Sequence, residues 1–140
     1  MQKNDLCGAL IKNIHDEIEK KANALLRQQD LTLSQMNVLM ELEAVPEHQL
    51  TLKELEGLLH VAQSTAAGIV VRLEQKRFVE SFTDAGDRRV KKVAITPAGM
   101  ECCKKAASDV TQMENQLLSG LTEAEKVLFR ELLEKVFRSL

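Results

Sequence analysis

The residues of this chain best suited to chemistry with a partner are two arginines in the turn Asp84-Ala85-Gly86-Asp87-Arg88-Arg89. A guanidinium carries a permanent charge and a forked donor set that matches phosphates and acceptor-lined grooves, and a neighbouring carboxylate such as Asp87 can hold it in position. The turn residues tolerate tight dihedrals, and the runs Phe78 to Thr83 and Val90 to Ile95 read as two short flanking strands. Arg88 and Arg89 therefore belong at an exposed hairpin tip, followed by Lys91 and Lys92. Taken alone, such a tip has two readings: a probe for a nucleic-acid backbone, or a plain solvated surface hairpin.

Charge distribution bears on that choice. The chain of 140 residues has a formal charge of −2, which argues against a polyanion partner until it is mapped. Arg72 to Lys92 holds seven cations (Arg72, Lys76, Arg77, Arg88, Arg89, Lys91, Lys92) against Glu74, Glu80, Asp84 and Asp87, a local +3 that leaves −5 for the rest. An acidic body with one basic patch orients a protein on a polyanion and limits non-specific sticking. With no Trp or Tyr and only Phe78, Phe82, Phe129 and Phe137, aromatics are too few for a single-strand stacking platform.

Other classes find less support. The His15-Asp16-Glu17 cluster lies along one helix without an oxyanion or phosphate cradle, so the chain is not expected to be an enzyme and no cofactor is implied. His15, His48 and His60 lack metal-ligand spacing. Three cysteines, Cys7, Cys102 and Cys103, form neither a disulfide framework nor a finger, and adjacent Cys102 and Cys103 are poorly placed to bond to each other. Hydrophobic residues make up 44% of the chain; with no signal peptide or membrane-length apolar run, a globular cytoplasmic protein without membrane contact is expected.

The elements that must carry the hairpin follow from periodicity and caps. Asp5 to about Gln28 reads as a long helix with Leu6, Leu10, Ile14, Ile18 and Leu25 or Leu26 at intervals of three or four. Thr32-Leu33-Ser34-Gln35 is a capping box opening a helix to about Ala44, buried through Met36, Val38, Leu39 and Leu42 and ended by the loop Pro46-Glu47-His48-Gln49. Thr51-Leu52-Lys53-Glu54 caps a short helix ending near His60. A further helix follows, with Thr65, Ile69 and Leu73 as its buried stripe and Gln63, Ser64, Ala67, Gly68, Val71 and Gln75 facing away. This is a helix-turn-helix whose outward face is small and polar enough for a major groove. After the hairpin, Thr96-Pro97 starts a long helix with Met100, Cys103, Ala107, Val110, Met113 and Leu117 on one side. Thr122 to Glu125 opens a last helix bearing Leu128, Leu132, Val136 and Leu140.

The expected fold is thus mainly α with a small β-hairpin wing: a winged helix-turn-helix at 31–99 between helical arms at 1–30 and 100–140. The arms have apolar stripes but little core to bury them, so they are expected to pack on each other and on a second copy, as a homodimer. Two reading heads would then face half-sites about 34 Å apart.

At this point the chain resembles the MarR family of transcription regulators over nearly its whole length. The specific pattern is Asp-x-Arg, five residues, then Ile/Leu-Thr-x-x-Gly, met by Asp87, Arg89, Ile95, Thr96 and Gly99; Leu31 to Gln35 and Arg72 to Lys76 support it. The resemblance implies a dimer on a pseudo-palindromic double-stranded DNA operator, released or retuned by a small-molecule effector or by oxidation, with a ligand pocket between the arms and the reading head. It places Arg89 in the minor groove, held by Asp87. The candidate DNA-binding residues are Gln63, Ser64, Thr65 (also counted in the stripe above), Ala67, Val71, Arg72, Lys76, Asp87, Arg88, Arg89 and Lys91. The functional expectation is a sequence-specific repressor released by a small ligand.

Three departures from the family bear on mechanism. Ala62 stands where a serine often caps the recognition helix, forfeiting about 1 kcal/mol. Ala67, Gly68 and Val71 replace polar or basic mid-helix residues, leaving base reading to Gln63, Ser64 and methyl contacts with thymine. Arg77 replaces a helix-terminating glycine. Two alternatives stay open. Leu6-Cys7-Gly8-Ala9-Leu10 resembles the sensing-cysteine context of the peroxide-responsive branch, although the tyrosines that engage that thiol are absent and a buried core thiol is the competing reading of Cys7. A winged helix used only for protein contacts is the other.

Overall fold

A computed structural model describes residues 2–140. The chain runs α1 (Cys7–Leu26), α2 (Leu33–Ala44), β1 (Gln49–Thr51), α3 (Leu52–Leu59), α4 (Gln63–Gln75), β2 (Val79–Thr83), β3 (Lys91–Ile95), α5 (Pro97–Leu117) and α6 (Glu123–Arg138). Short 3-10 turns at Lys3–Asp5 and Arg27–Gln29 precede and follow α1. The fold is mainly helical with a small wing, as expected, and no described helix is long and apolar enough to cross a membrane.

Threonine caps set four helix starts. In α2, Thr32 Oγ1 accepts from the Gln35 amide while the Gln35 side chain accepts from the Thr32 amide, both at 3.2 Å. Thr51 with Glu54 and Thr122 with Glu125 repeat this reciprocal box at α3 and α6. Each box satisfies amide donors that a helix leaves free at its first turn. Thr96 caps α5 with Pro97 just inside it. The exception is α4, where Ala62 occupies the cap position and no side chain bonds the free amides.

The wing has three strands rather than two. Gln49, the end of the expected loop, starts β1, which pairs antiparallel with β3 (Leu50 opposite Val93), and β3 also pairs with β2 in the order β1-β3-β2. A left-handed His48 turns the chain from α2 into β1 and its carbonyl accepts from the Ile95 amide at 3.0 Å. Leu50, the buried residue of the strand, plugs into the core.

The core gathers Leu26, Leu31, Met36, Val38, Leu39, Leu42, Leu55, Leu73, Val79 and Val93, so the second helix buries the residues read from its pattern. Two stripes differ from expectation. On α4 the buried residues are Ala66, Val70 and Leu73, with Ile69 half-buried and Thr65 exposed. The helical period of 3.6 turns a strict i, i+4, i+8 row away from the core, and Thr65 lies on the side it leaves. On α5 the chain buries Gly99, Cys102, Cys103 and Ala106, whereas Ala107 is exposed.

The arms behave unlike the core. α1 lies along α5 and buries Ala22 and Leu26 near its end, yet Leu10, Ile11 and Ile14 are exposed. α6 buries no residue, and Val127, Leu128, Leu132, Leu133, Val136 and Phe137 are all exposed. Exposed apolar surface of this extent marks an association surface.

Candidate nucleic-acid interface

The wing tip is wired from within. Asp84 accepts from Lys92 Nζ at 3.0 Å and from the Gly86 amide at 3.2 Å, and the Asp84 amide donates to the Val90 carbonyl. Lys92 and the local amides hold the Asp84 carboxyl below its ordinary range. Lys92 is therefore spent inside the wing, whereas Arg88 and Lys91 stand exposed.

Asp87 performs the holding role expected of it. Its Oδ1 accepts from Arg89 Nε at 3.1 Å and from the Arg89 backbone amide at 3.0 Å, while Oδ2 accepts from Nη2 at 3.3 Å. The guanidinium contact, followed by the backbone one, lowers the Asp87 carboxyl from its ordinary value. The Arg89 side chain is nonetheless 91% exposed, a cation fixed in direction and open to a partner.

The second half of the pattern is structural. Thr96 Oγ1 donates to the Arg77 carbonyl at 2.8 Å and accepts from the Gly99 amide at 3.1 Å, and the Thr96 amide donates to Phe78 O. A Cβ on Gly99 would lie 2.2 Å from the Phe78 carbonyl oxygen and 2.8 Å from Ile95 Cγ1. Threonine and glycine thus clamp the start of α5 onto the exit of α4, where Arg77 sits left-handed at φ 63 in the place a glycine would fill without strain.

The wing and helix-turn-helix enclose one groove. Thr51 at the end of β1, Leu52, Lys53 and Glu56 of α3, Gln63 and Ala67 of α4, and Arg89, Val90 and Lys91 line it. Gln63, Ser64, Thr65, Val71 and Arg72 are exposed and Ala67 half-buried, so these candidates sit on the open side of α4. Lys53 escaped the sequence reading. Its signal is a lysine in the first turn of a helix, where the positive end of the dipole disfavours a cation and a partner anion would justify one.

Lys76 is turned elsewhere. Its Nζ donates to Gln35 Oε1 at 2.9 Å and to the Asp30 carbonyl, with Asp30 Oδ2 at 3.8 Å, and the side chain is only 23% exposed. It ties the end of α4 to the link between α1 and α2, an internal brace, although Lys76 is among the candidate DNA-binding residues. Lys91→Ala should therefore lower the log–log salt slope of duplex binding by about one per phosphate contact. Lys76→Met should leave that slope unchanged and lower the melting temperature instead, which thermal melts and titrations over a salt series will separate.

The thiols divide. Cys7 is exposed at the first turn of α1 rather than packed in the core, while Cys102 and Cys103 are buried. Burial, then the Glu43 carboxylate 3.1 Å from its sulfur, pushes the Cys103 thiol up to about 12, so it stays protonated. An apolar crevice between α1 and α5, with Ile18, Val110, Met113 and Leu117 on its walls beside Glu17, Lys21 and Glu114, lies between the two arms and not, as expected of a ligand pocket, between the arms and the reading head.

Comparison with known proteins agrees with this geometry. Residues 29–90, the span from the α1–α2 link to the wing tip, match the model of the MarR family. An uncharacterized HTH-type transcriptional regulator of Bacillus subtilis, YsmB, is 25% identical over 90% of this chain and 85% of its own. The HTH-type transcriptional repressor IacR of Pseudomonas putida is 25% identical over 99% of this chain and 82% of its own. Among solved structures, S. aureus MepR in complex with DNA superposes with a TM-score of 0.88 at 29% identity, covering 96% of this chain and 98% of that one. A mutant MarR from E. coli complexed with operator DNA gives 0.82 at 26% identity, covering 92% and 91%.

Proposed function

We infer that this chain, a member of the MarR family, is a transcriptional repressor that binds a double-stranded operator in sequence-specific fashion as a homodimer. The observation that carries the reading is Arg89, held at two points by Asp87 yet almost fully exposed beside the open face of α4. A preorganised guanidinium at a wing tip reaches a minor groove while the adjacent helix enters the major groove. Arg88, Lys91 and Lys53 would meet phosphates. Operator binding itself requires no catalysis, and a repressor of this kind would work in the cytoplasm, where its DNA lies.

Dimerisation would use the exposed apolar faces of α1 and α6. Leu132 is 51% exposed on α6 and contributes nothing to the core of its own chain. Leu132→Glu should therefore leave the monomer folded, shift sedimentation to the monomer, and reduce operator affinity by at least about 100-fold through loss of paired half-site binding. A dimer that persists with unchanged affinity would remove α6 from the interface. An effector is expected in the crevice between α1 and α5, from which a displaced arm would move the reading heads apart.

The deciding experiment is recovery of bound duplexes from a random pool, with binding then followed over a salt series. Enrichment of one pseudo-palindrome, retained in a salt-dependent way, is the expected result; no salt-dependent retention would instead favour a winged helix used for protein contacts. One observation favours a second route of release: Cys7 is exposed and open to oxidants. Operator affinity of wild type and Cys7→Ser after peroxide treatment tests it, and equal insensitivity of both removes the thiol route.

A further inference from the structure

We propose that α4 reads A·T pairs, with Val71 and Ala67 against thymine methyl groups, Gln63 on an adenine, and Gly68 setting how deeply the helix lies in the groove. This rests on the DNA-binding reading above and says which bases that site selects.

The argument begins with what the reading face lacks. Between Gln63 and Val71 its open side carries neither cation nor carboxylate, so over that stretch the arginine–guanine and carboxylate–cytosine pairings have no donor or acceptor; the first exposed cation of the helix is Arg72, one residue beyond it. One planar amide is present, on Gln63, exposed in the first turn of α4 and on the wall of the groove shared with Arg89. A planar amide matches the N6–H donor and N7 acceptor of adenine.

Val71 supplies the second observation. It is 53% exposed on a helix face otherwise made of small or polar residues, and its β-branched side chain also disfavours the helix. No part of its own core covers it. Within a major groove, the base edge that presents an apolar surface is thymine, through its methyl group.

Gly68 is the third. A glycine in mid-helix weakens the helix relative to alanine, so it calls for a reason. The fold offers none: its φ is not left-handed, and a Cβ there would meet nothing within 4 Å. The space a side chain would fill opens to solvent on the reading face. Its bareness allows the α4 backbone to approach a surface outside the chain, bringing the short side chains of Ala67 and Val71 within contact of the bases. Longer side chains would reach from further out.

The test separates fold from binding. Gly68→Ala should raise the melting temperature by about 2–4 °C through helix propensity while lowering affinity for the selected operator at least about tenfold. Replacing thymine by uracil under α4 removes only methyl groups; it should weaken wild-type binding about fourfold per methyl, and Val71→Ala should lose most of the sensitivity at the position facing residue 71 while keeping the sensitivity at the position facing Ala67. Gln63→Ala should lose the preference at one adenine position. If the random pool yields a bound operator with G·C pairs at these positions, or if Gly68→Ala and the uracil duplex bind as tightly as their parents, this inference is overturned and the DNA-binding reading stands. If no duplex is retained at any salt, the DNA-binding reading itself has failed.

Discussion

Arg89→Ala is expected to weaken operator binding by roughly 100-fold at matched salt while leaving fold and assembly intact. The side chain is 91% exposed and, among the described residues, its side-chain hydrogen bonds go to Asp87, so its removal opens no cavity. In the proposed dimer two copies would act, and each loss would be felt twice. The open side of α4 carries no cation from Gln63 to Val71, with Arg72 only at the end of that stretch, so on the proposed reading the wing would supply much of the electrostatic attraction next to the bases. Asp87→Ala should cost less, about tenfold, because the guanidinium survives but loses its fixed direction. Added to Arg89→Ala it should cost nothing further, since Asp87 acts through Arg89. Its carboxyl titrates below the ordinary value, so the pair is present at neutral pH and is lost only as pH falls through that lowered value, beneath the usual range near about 4. Unchanged affinity of Arg89→Ala in a titration at fixed salt would end the minor-groove assignment.

What could be read from the sequence was local. Thr32, Thr51, Thr96 and Thr122 each announce a helix because a cap bonds amides two or three residues away, and all four start helices in the structure. Asp87 and Arg89 are two residues apart, and their pairing was legible for the same reason. What was missed depends on distant partners. β1 is three residues long and exists through a ladder to Val93 and its neighbours, too short to show alternation. Lys76 reads as a basic group at the end of a recognition helix, and only the arrival of Asp30 and Gln35 from the other side of the sequence turns it inward. The buried side of α4 was misplaced by one residue at Thr65, because small residues such as Ala66 and Gly68 give periodicity little to work on. The open α6 face was foreseeable, since its stripe exceeded any core the chain could offer.

Gly99→Ala is expected to destabilise the fold by about 3 kcal/mol, the upper end of ordinary overpacking, seen as a drop of about 10 °C in melting temperature. The added methyl would stand 2.2 Å from a backbone oxygen, that of Phe78, and backbone cannot swing aside as a side-chain tip can. Relief requires α5 to slide from the end of α4. That slide would pull on Thr96, whose hydroxyl bridges Arg77 O and Gly99 N, and on β3, which ends at Ile95. The wing would then shift against the recognition helix, so affinity of the folded fraction should fall as well, although Gly99 itself is buried and does not line the groove. Ala98→Ser, one residue earlier and exposed, is the matched control and should change neither quantity. On the proposed reading the two halves of the pattern act by different means: Asp87 and Arg89 would present a charge to DNA, while Thr96 and Gly99 would fix where that charge is presented. A Gly99→Ala protein melting with wild type would show that α5 accommodates the methyl, and the clamp would lose its role in aiming the wing.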